Sequence, residues 1–120
     1  MTHKFSKEMF SETEKLGQTF SLDTHAIIFD RYKFAYDLSK SKKVLEIGPG
    51  SGIGIDAISS NAKTYCCLEY SLENVELIQK QYKESLNIHQ GDAHSLPFKN
   101  QSFDFLIALA MIYYLDINAF

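Results

Sequence analysis

The 120-residue chain predicts an α/β fold, a parallel sheet with flanking helices. Three observations carry that prediction. Short apolar runs, each about one strand long, are followed by turn residues and then by a helical repeat. The run Val44-Leu45-Glu46-Ile47 opens directly into Gly48-Pro49-Gly50-Ser51-Gly52-Ile53-Gly54, four glycines within seven positions. Alternating strands and helices are joined by crossovers, which are right-handed and leave successive strands parallel.

Two helical patterns precede the first strand. Phe5 to Leu16 has apolar residues at Phe5, Met9, Phe10 and Leu16, with Gly17 placed to stop a short helix. From Asp23 as N-cap, Ile27, Arg31, Phe34 and Leu38 form one ridge, and Ile28, Tyr32 and Tyr36 form another beside it. That apolar, aromatic face is expected to pack on the sheet, so residues 1–42 read as an N-terminal helical segment ahead of a unit spanning 43–120.

The second unit reads as strand Val44 to Ile47, helix Ile53 to Ser59 and strand Tyr65 to Leu68. Ser71 caps a helix with Leu72, Val75, Ile78 and Tyr82 on one side. A strand Asn87 to Gln90, a loop Gly91 to Asn100 containing Pro97, and a strand Phe103 to Ala108 follow. Asp116 is positioned as an N-cap, but Ile117, Ala119 and Phe120 amount to less than two turns, too little to hold a helix alone. A fragment of a longer protein is therefore expected.

Composition narrows the class of function. With 45% hydrophobic residues, 22% charged and a formal charge of -3, the chain can build one modest core and has no global positive field. On that ground neither a nucleic acid nor a membrane partner is expected. Arg31, Lys33, Lys40, Lys42 and Lys43 read as the wet side of a helix and its exit. Adjacent Cys66 and Cys67 point to opposite faces of a strand and cannot form an ordinary disulfide, so they read as reduced core residues of a cytoplasmic protein. No apolar stretch reaches the roughly 18 residues of a membrane span, and the first ten residues lack a signal-peptide hydrophobic region. His89 and His94 have no third ligand at metal spacing, and Ser51 and the cysteines have no basic partner in sequence, so neither a metal nor a nucleophile is assigned.

The glycine loop lies where a parallel sheet binds ligands, at the carboxyl end of a strand, and it fits two registers. Gly52-Ile53-Gly54-Ile55-Asp56-Ala57 matches G-x-G-x-x-A, with Glu69 17 positions past Gly52, near the roughly 20-residue spacing of the acid in a dinucleotide site. The other register is Glu46-Ile47-Gly48-Pro49-Gly50-Ser51-Gly52. Here Pro49 has no N–H for a pyrophosphate and Glu46 would repel one, which suits a cationic headgroup better.

With these residues in view, the sequence resembles the class I S-adenosylmethionine-dependent methyltransferases, closest to the type 11 group. "VLEIGPGSG" looks like the first motif, Glu69 in "CLEYS" like the acid ending strand two, "GDAHSLPF" like the loop after strand three, and "FDFLIALAMIYYL" like strand four and its exit. The resemblance implies a Rossmann-like sheet, of which this chain holds strands one to four of seven in the order 3-2-1-4. It implies S-adenosyl-L-methionine as cofactor and a small-molecule methyl acceptor.

The resemblance also implies roles. Glu46 would anchor the methionine ammonium, directly or through water, while Gly48, Pro49 and Gly50 let the methionine approach the backbone. Glu69 would take both ribose hydroxyls, Tyr70 would cover the adenine edge, Asp92 would accept from the adenine amine and Ala93 would offer its N–H to a ring nitrogen. Ala108 would lie under the methionine portion. Tyr113 and Tyr114 fall where the family often faces substrate. No residue is assigned as catalytic, and an N-P-P-[YFW] signature of nucleobase methylation is absent after strand four. Such a half domain is expected to bind cofactor but to methylate poorly alone, and its open fourth strand is an edge for self-association. An NAD-binding oxidoreductase domain and a non-catalytic binding module stand as alternatives.

Overall fold

A computed structural model describes residues 22–50 and 52–109. The helix expected at Phe5 to Leu16, the cap at Asp116, and Ser51, Tyr113 and Tyr114 lie outside the described residues. Helix α1 spans Leu22–Leu38 and is followed by strand β1 at Lys43–Ile47, helix α2 at Ile55–Asn61 and strand β2 at Thr64–Glu69. Helix α3 at Leu72–Tyr82 continues into a 3-10 turn, Lys83–Ser85, before strands β3 at Asn87–Gln90 and β4 at Phe105–Ile107.

The four strands are parallel in the order β3-β2-β1-β4, as expected. In register, Leu45 lies beside Cys66, Glu46 beside Cys67 and Ile107, and Glu69 beside Gln90. All four carboxyl ends therefore gather at one end of the sheet. Two backbone bonds extend the pairing into the loops there, Gly48 N–H to Leu68 O at 2.8 Å and Gly91 N–H to Glu69 O at 3.0 Å.

Strand alternation divides the core. On one face Val44 and Ile107 pack with Tyr32 and Ala35 of α1 and Ile58 of α2. On the other, Leu45, Ile47, Cys66 and Leu68 pack with Ala93, Phe98, Phe103 and Ala108 from the loops flanking β3 and β4. Burying an aliphatic side chain of this kind contributes roughly 1.5–3 kcal/mol. The sheet is thus held from both sides, by helices on one and by aromatic loop residues on the other.

Several expected boundaries move. Asp23 is inside α1 and not its N-cap. Of the two ridges, that of Ile28, Tyr32 and Tyr36 meets the core, whereas Ile27, Phe34 and Leu38 are exposed, Phe34 to 68%. Both ridges are apolar, and only the sheet's position selects between them. Helix α2 starts two residues late, because Gly52 to Gly54 are spent in turns. Phe103 precedes β4 and packs edge-on against Phe98 at 5.1 Å between centroids. Ser71 caps α3 as expected, its hydroxyl accepting from Asn74 N–H at 3.2 Å. Both cysteines are free and buried, and Lys33 pairs with Asp37 on the wet side of α1 at 2.7 Å. Among the described residues no helix is long and apolar enough to cross a membrane.

Candidate functional site

The glycine-rich turn after β1 sits beside the end of β2, tied to it by the Gly48-to-Leu68 backbone bond and by a side-chain bond from Gly50. Gly50 N–H donates to Glu69 Oε1 at 2.9 Å, and Ser71 N–H donates to Glu69 Oε2 at 2.8 Å. Glu69 is 6% exposed. Each of its oxygens keeps a second lone pair, so the carboxylate is held in place and retains acceptor capacity.

The glycines of this turn serve different neighbours. Gly50 has φ +64°, a left-handed value that disfavours other residues, and a Cβ built on it meets nothing within 4 Å. A Cβ at Gly52 would meet Ile55 Cδ1 at 3.0 Å and Ile78 Cγ1 at 3.5 Å. At Gly54 it would overlap the ring of Tyr32. Open space for a ligand therefore lies beside Gly50, in the Glu46-to-Gly52 register, while the two glycines of the dinucleotide register face protein atoms.

Glu46 is 1% exposed and stands in β1, just ahead of this turn. Its Oε2 accepts from Tyr32 OH at 2.6 Å and its Oε1 from Tyr65 OH at 2.5 Å. Burial raises its carboxyl above the ordinary value, the two hydroxyls pull it back down, and nearby Glu69 adds a smaller upward push. Burial likewise holds the Tyr32 and Tyr65 hydroxyls protonated, with the Glu46 charge adding to it, so both stay donors.

The remaining expected residues flank the same strand ends. Asp92 is exposed, its Oδ1 accepting from His94 N–H at 2.9 Å and lying 2.7 Å from His94 Nδ1. The backbone bond from His94 is the main reason its carboxyl is held below the usual value. Ala93 is buried, Ala108 half-buried and Tyr70 70% exposed. The Tyr70 carbonyl accepts from Gln90 Nε2 at 2.9 Å. Among the described residues no cluster of His, Cys, Asp or Glu could hold a metal ion.

A cavity of about 510 Å³ lies on the opposite side, walled by Leu45, Leu96, Phe98, Phe103 and Leu106. Of the expected cofactor residues only Ala93 lines it. Convergence of polar groups, not the size of a void, therefore locates the site at the strand ends.

Sequence reading missed Tyr32 and Tyr65 as partners of Glu46. Tyr32 was legible only as part of an apolar ridge and Tyr65 only as the start of a strand. A usable signal existed, since a buried tyrosine hydroxyl needs a partner.

A sequence model described as "Methyltransferase domain" matches residues 45–120. The chain belongs to this methyltransferase family. A Pyrococcus furiosus protein assigned as ribosomal RNA small subunit methyltransferase A is 35% identical over 89 residues, covering 73% of this chain and 32% of that protein. The phthiotriol/phenolphthiotriol dimycocerosates methyltransferase of Mycobacterium leprae is 31% identical over 86 residues, 69% of this chain and 32% of its own length. The crystal structure of a dimethyladenosine transferase from Plasmodium falciparum superposes with a TM-score of 0.57 at 26% identity, covering 68% of this chain and 30% of that one. The chain thus spans about a third of the length of the relatives it matches.

These relatives correct one expectation. The absence of a nucleic acid partner was argued from the net charge of -3, yet relatives of this methyltransferase domain are named for RNA and for dimethyladenosine. Net charge is a poor guide because contact surfaces are local and a sum of charges does not place them.

The residues present fit the methionine and nucleoside parts of S-adenosylmethionine. Open space adjoins Gly50, which is bonded to Glu69, while Glu46 in β1 and Asp92 after β3 stand towards the same carboxyl end of the sheet. When bound, that cofactor supplies a methyl group on a sulfonium, an activated leaving group. This chain's part would be to bind and orient it. Glu69 would hold the sugar, Glu46 the ammonium, and Asp92 with the Ala93 N–H the base.

Proposed function

We propose that residues 43–120 form the cofactor-binding part of a class I methyltransferase that uses S-adenosyl-L-methionine. The observation that carries this reading is the open, left-handed Gly50 bonded to Glu69, beside the buried carboxylate of Glu46. Catalysis by such a site rests on alignment and on exclusion of water, since the donor is already activated. Titration calorimetry with S-adenosylhomocysteine and with NAD tests it. Binding of the first with NAD inert is expected, and the reverse pattern would refute the reading.

Two acceptor classes follow from two observations. The sequence after β4 reads Ala108-Leu109-Ala110-Met111-Ile112, without N-P-P-[YFW], which favours a small-molecule acceptor. The mycobacterial relative, named for a phthiotriol dimycocerosate, is in keeping with it. The names of the Pyrococcus and Plasmodium relatives favour an adenine in RNA. Transfer of tritiated methyl to small-subunit ribosomal RNA, against a panel of small alcohols and amines, separates the two.

A further inference from the structure

We propose that Tyr32 and Tyr65 are positioning residues for Glu46, a pair of hydroxyl donors that present a buried carboxylate to the cofactor's ammonium and make helix α1 a working part of the site. The inference rests on the methyltransferase reading above.

Its basis is geometric. A carboxylate with 1% exposure is costly to keep ionised in the interior, and desolvation favours its neutral form. Two hydroxyl donors, one on each oxygen, oppose that cost. They come from separate elements, Tyr32 from α1 and Tyr65 from the start of β2, 14 residues before and 19 after Glu46.

The clamp also fixes the glycine turn. The Tyr32 ring lies where a Cβ at position 54 would stand, so its hydroxyl and its ring engage both sides of the β1-to-α2 connection. Helix α1 thereby reaches the loop that would hold the methionine.

Other titratable groups near Glu46 do not compete for the role. Cys67 sits beside it in register and is held protonated by burial. Glu69 lies at the end of β2 and directs its oxygens to the N–H groups of Gly50 and Ser71. The carboxylate's ionisation is therefore governed mainly by burial and by the two tyrosines.

The test uses Tyr32→Phe and Tyr65→Phe, which keep the ring and remove the donor. The affinity of the 120-residue chain for S-adenosylhomocysteine is measured from pH 6 to 8.5 by calorimetry, with circular dichroism as a check of fold. Each variant is expected to bind at least tenfold more weakly at the acidic end and to regain affinity as pH rises, its profile displaced to higher pH than that of wild type. A merely structural role would lower the melting temperature and leave the pH profile unmoved. Binding by wild type with unshifted profiles in both variants overturns the positioning role alone. Absence of binding by wild type at every pH overturns the cofactor reading and the role that rests on it. Should Tyr32→Phe fail to fold, Tyr65→Phe, on a different element, carries the same test.

Discussion

The ring of Tyr32 occupies the volume that a side chain at position 54 would need. Gly54 is therefore a glycine for the sake of a helix packed against it, and not for a phosphate. Gly50, four residues earlier, is left-handed with nothing beside it and belongs to the ligand side. One turn thus holds glycines of two kinds, and a pattern match cannot tell them apart.

Gly54→Ala is expected to destabilise by about 1–3 kcal/mol through overpacking, because the buried ring has nowhere to go. Urea denaturation measures the loss. In a Tyr32→Ala background the same substitution should cost much less, giving a clear coupling in a double-mutant cycle. Gly50→Ala should show no such coupling, with a cost of about 1–2 kcal/mol from the left-handed backbone alone.

Glu69→Gln leaves only one oxygen for two N–H donors, Gly50 and Ser71. One donor is orphaned, at a cost of about 1–3 kcal/mol. The amide group that replaces the other oxygen cannot accept from a ribose hydroxyl. Denaturation should register the first effect, and an S-adenosylhomocysteine affinity at least tenfold weaker the second.

Glu46 introduces a pH dependence of stability. Burial raises its folded-state value above the ordinary 4.5, so between those two values the folded chain binds more protons than the unfolded one. Stability from this group is present below the ordinary value, falls as pH rises through the raised value, and is level above it. Asp92 acts with the opposite sign and at lower pH, since its value is depressed and its contribution is lost as pH falls through it. Unfolding free energies from pH 4 to 8 should show the Glu46 slope in wild type and its disappearance in Glu46→Gln. A slope unchanged by that substitution would assign it elsewhere.

The cysteines should be inert. Burial pushes the Cys66 thiol up to about 11 and Cys67 higher still. Thiolate is the reactive form, so iodoacetamide at pH 8 should label neither while the chain is folded and both in denaturing urea. Mass spectrometry reads the outcome directly, and rapid labelling of the native chain would contradict the burial.

Much of the fold was legible because strand alternation and helical spacing are local. Val44 to Ile47, Cys66 to Leu68 and the Ser71 cap are specified by residues next to them in sequence, and short right-handed crossovers then leave few strand orders. The two acids at 46 and 69 were legible for the same reason, as charged residues at the ends of apolar runs. The ridge of α1 that packs was not legible, since Ile27 and Phe34 are as apolar as Ile28 and Tyr32 and only the sheet distinguishes them. A nucleic-acid partner was excluded from net charge, a sum that has no position in it, and the relatives named for RNA and dimethyladenosine overturn that exclusion.

By itself, then, the sequence determined a parallel sheet in the order β3-β2-β1-β4 and a glycine turn between two carboxylates. Only the tertiary structure decided what each group faces: Glu46 two tyrosine hydroxyls, Gly54 a ring, Gly50 open space. The reason is physical. Periodicity records which side of an element is apolar, whereas hydrogen-bond partners and steric room depend on residues brought together from distant parts of the chain.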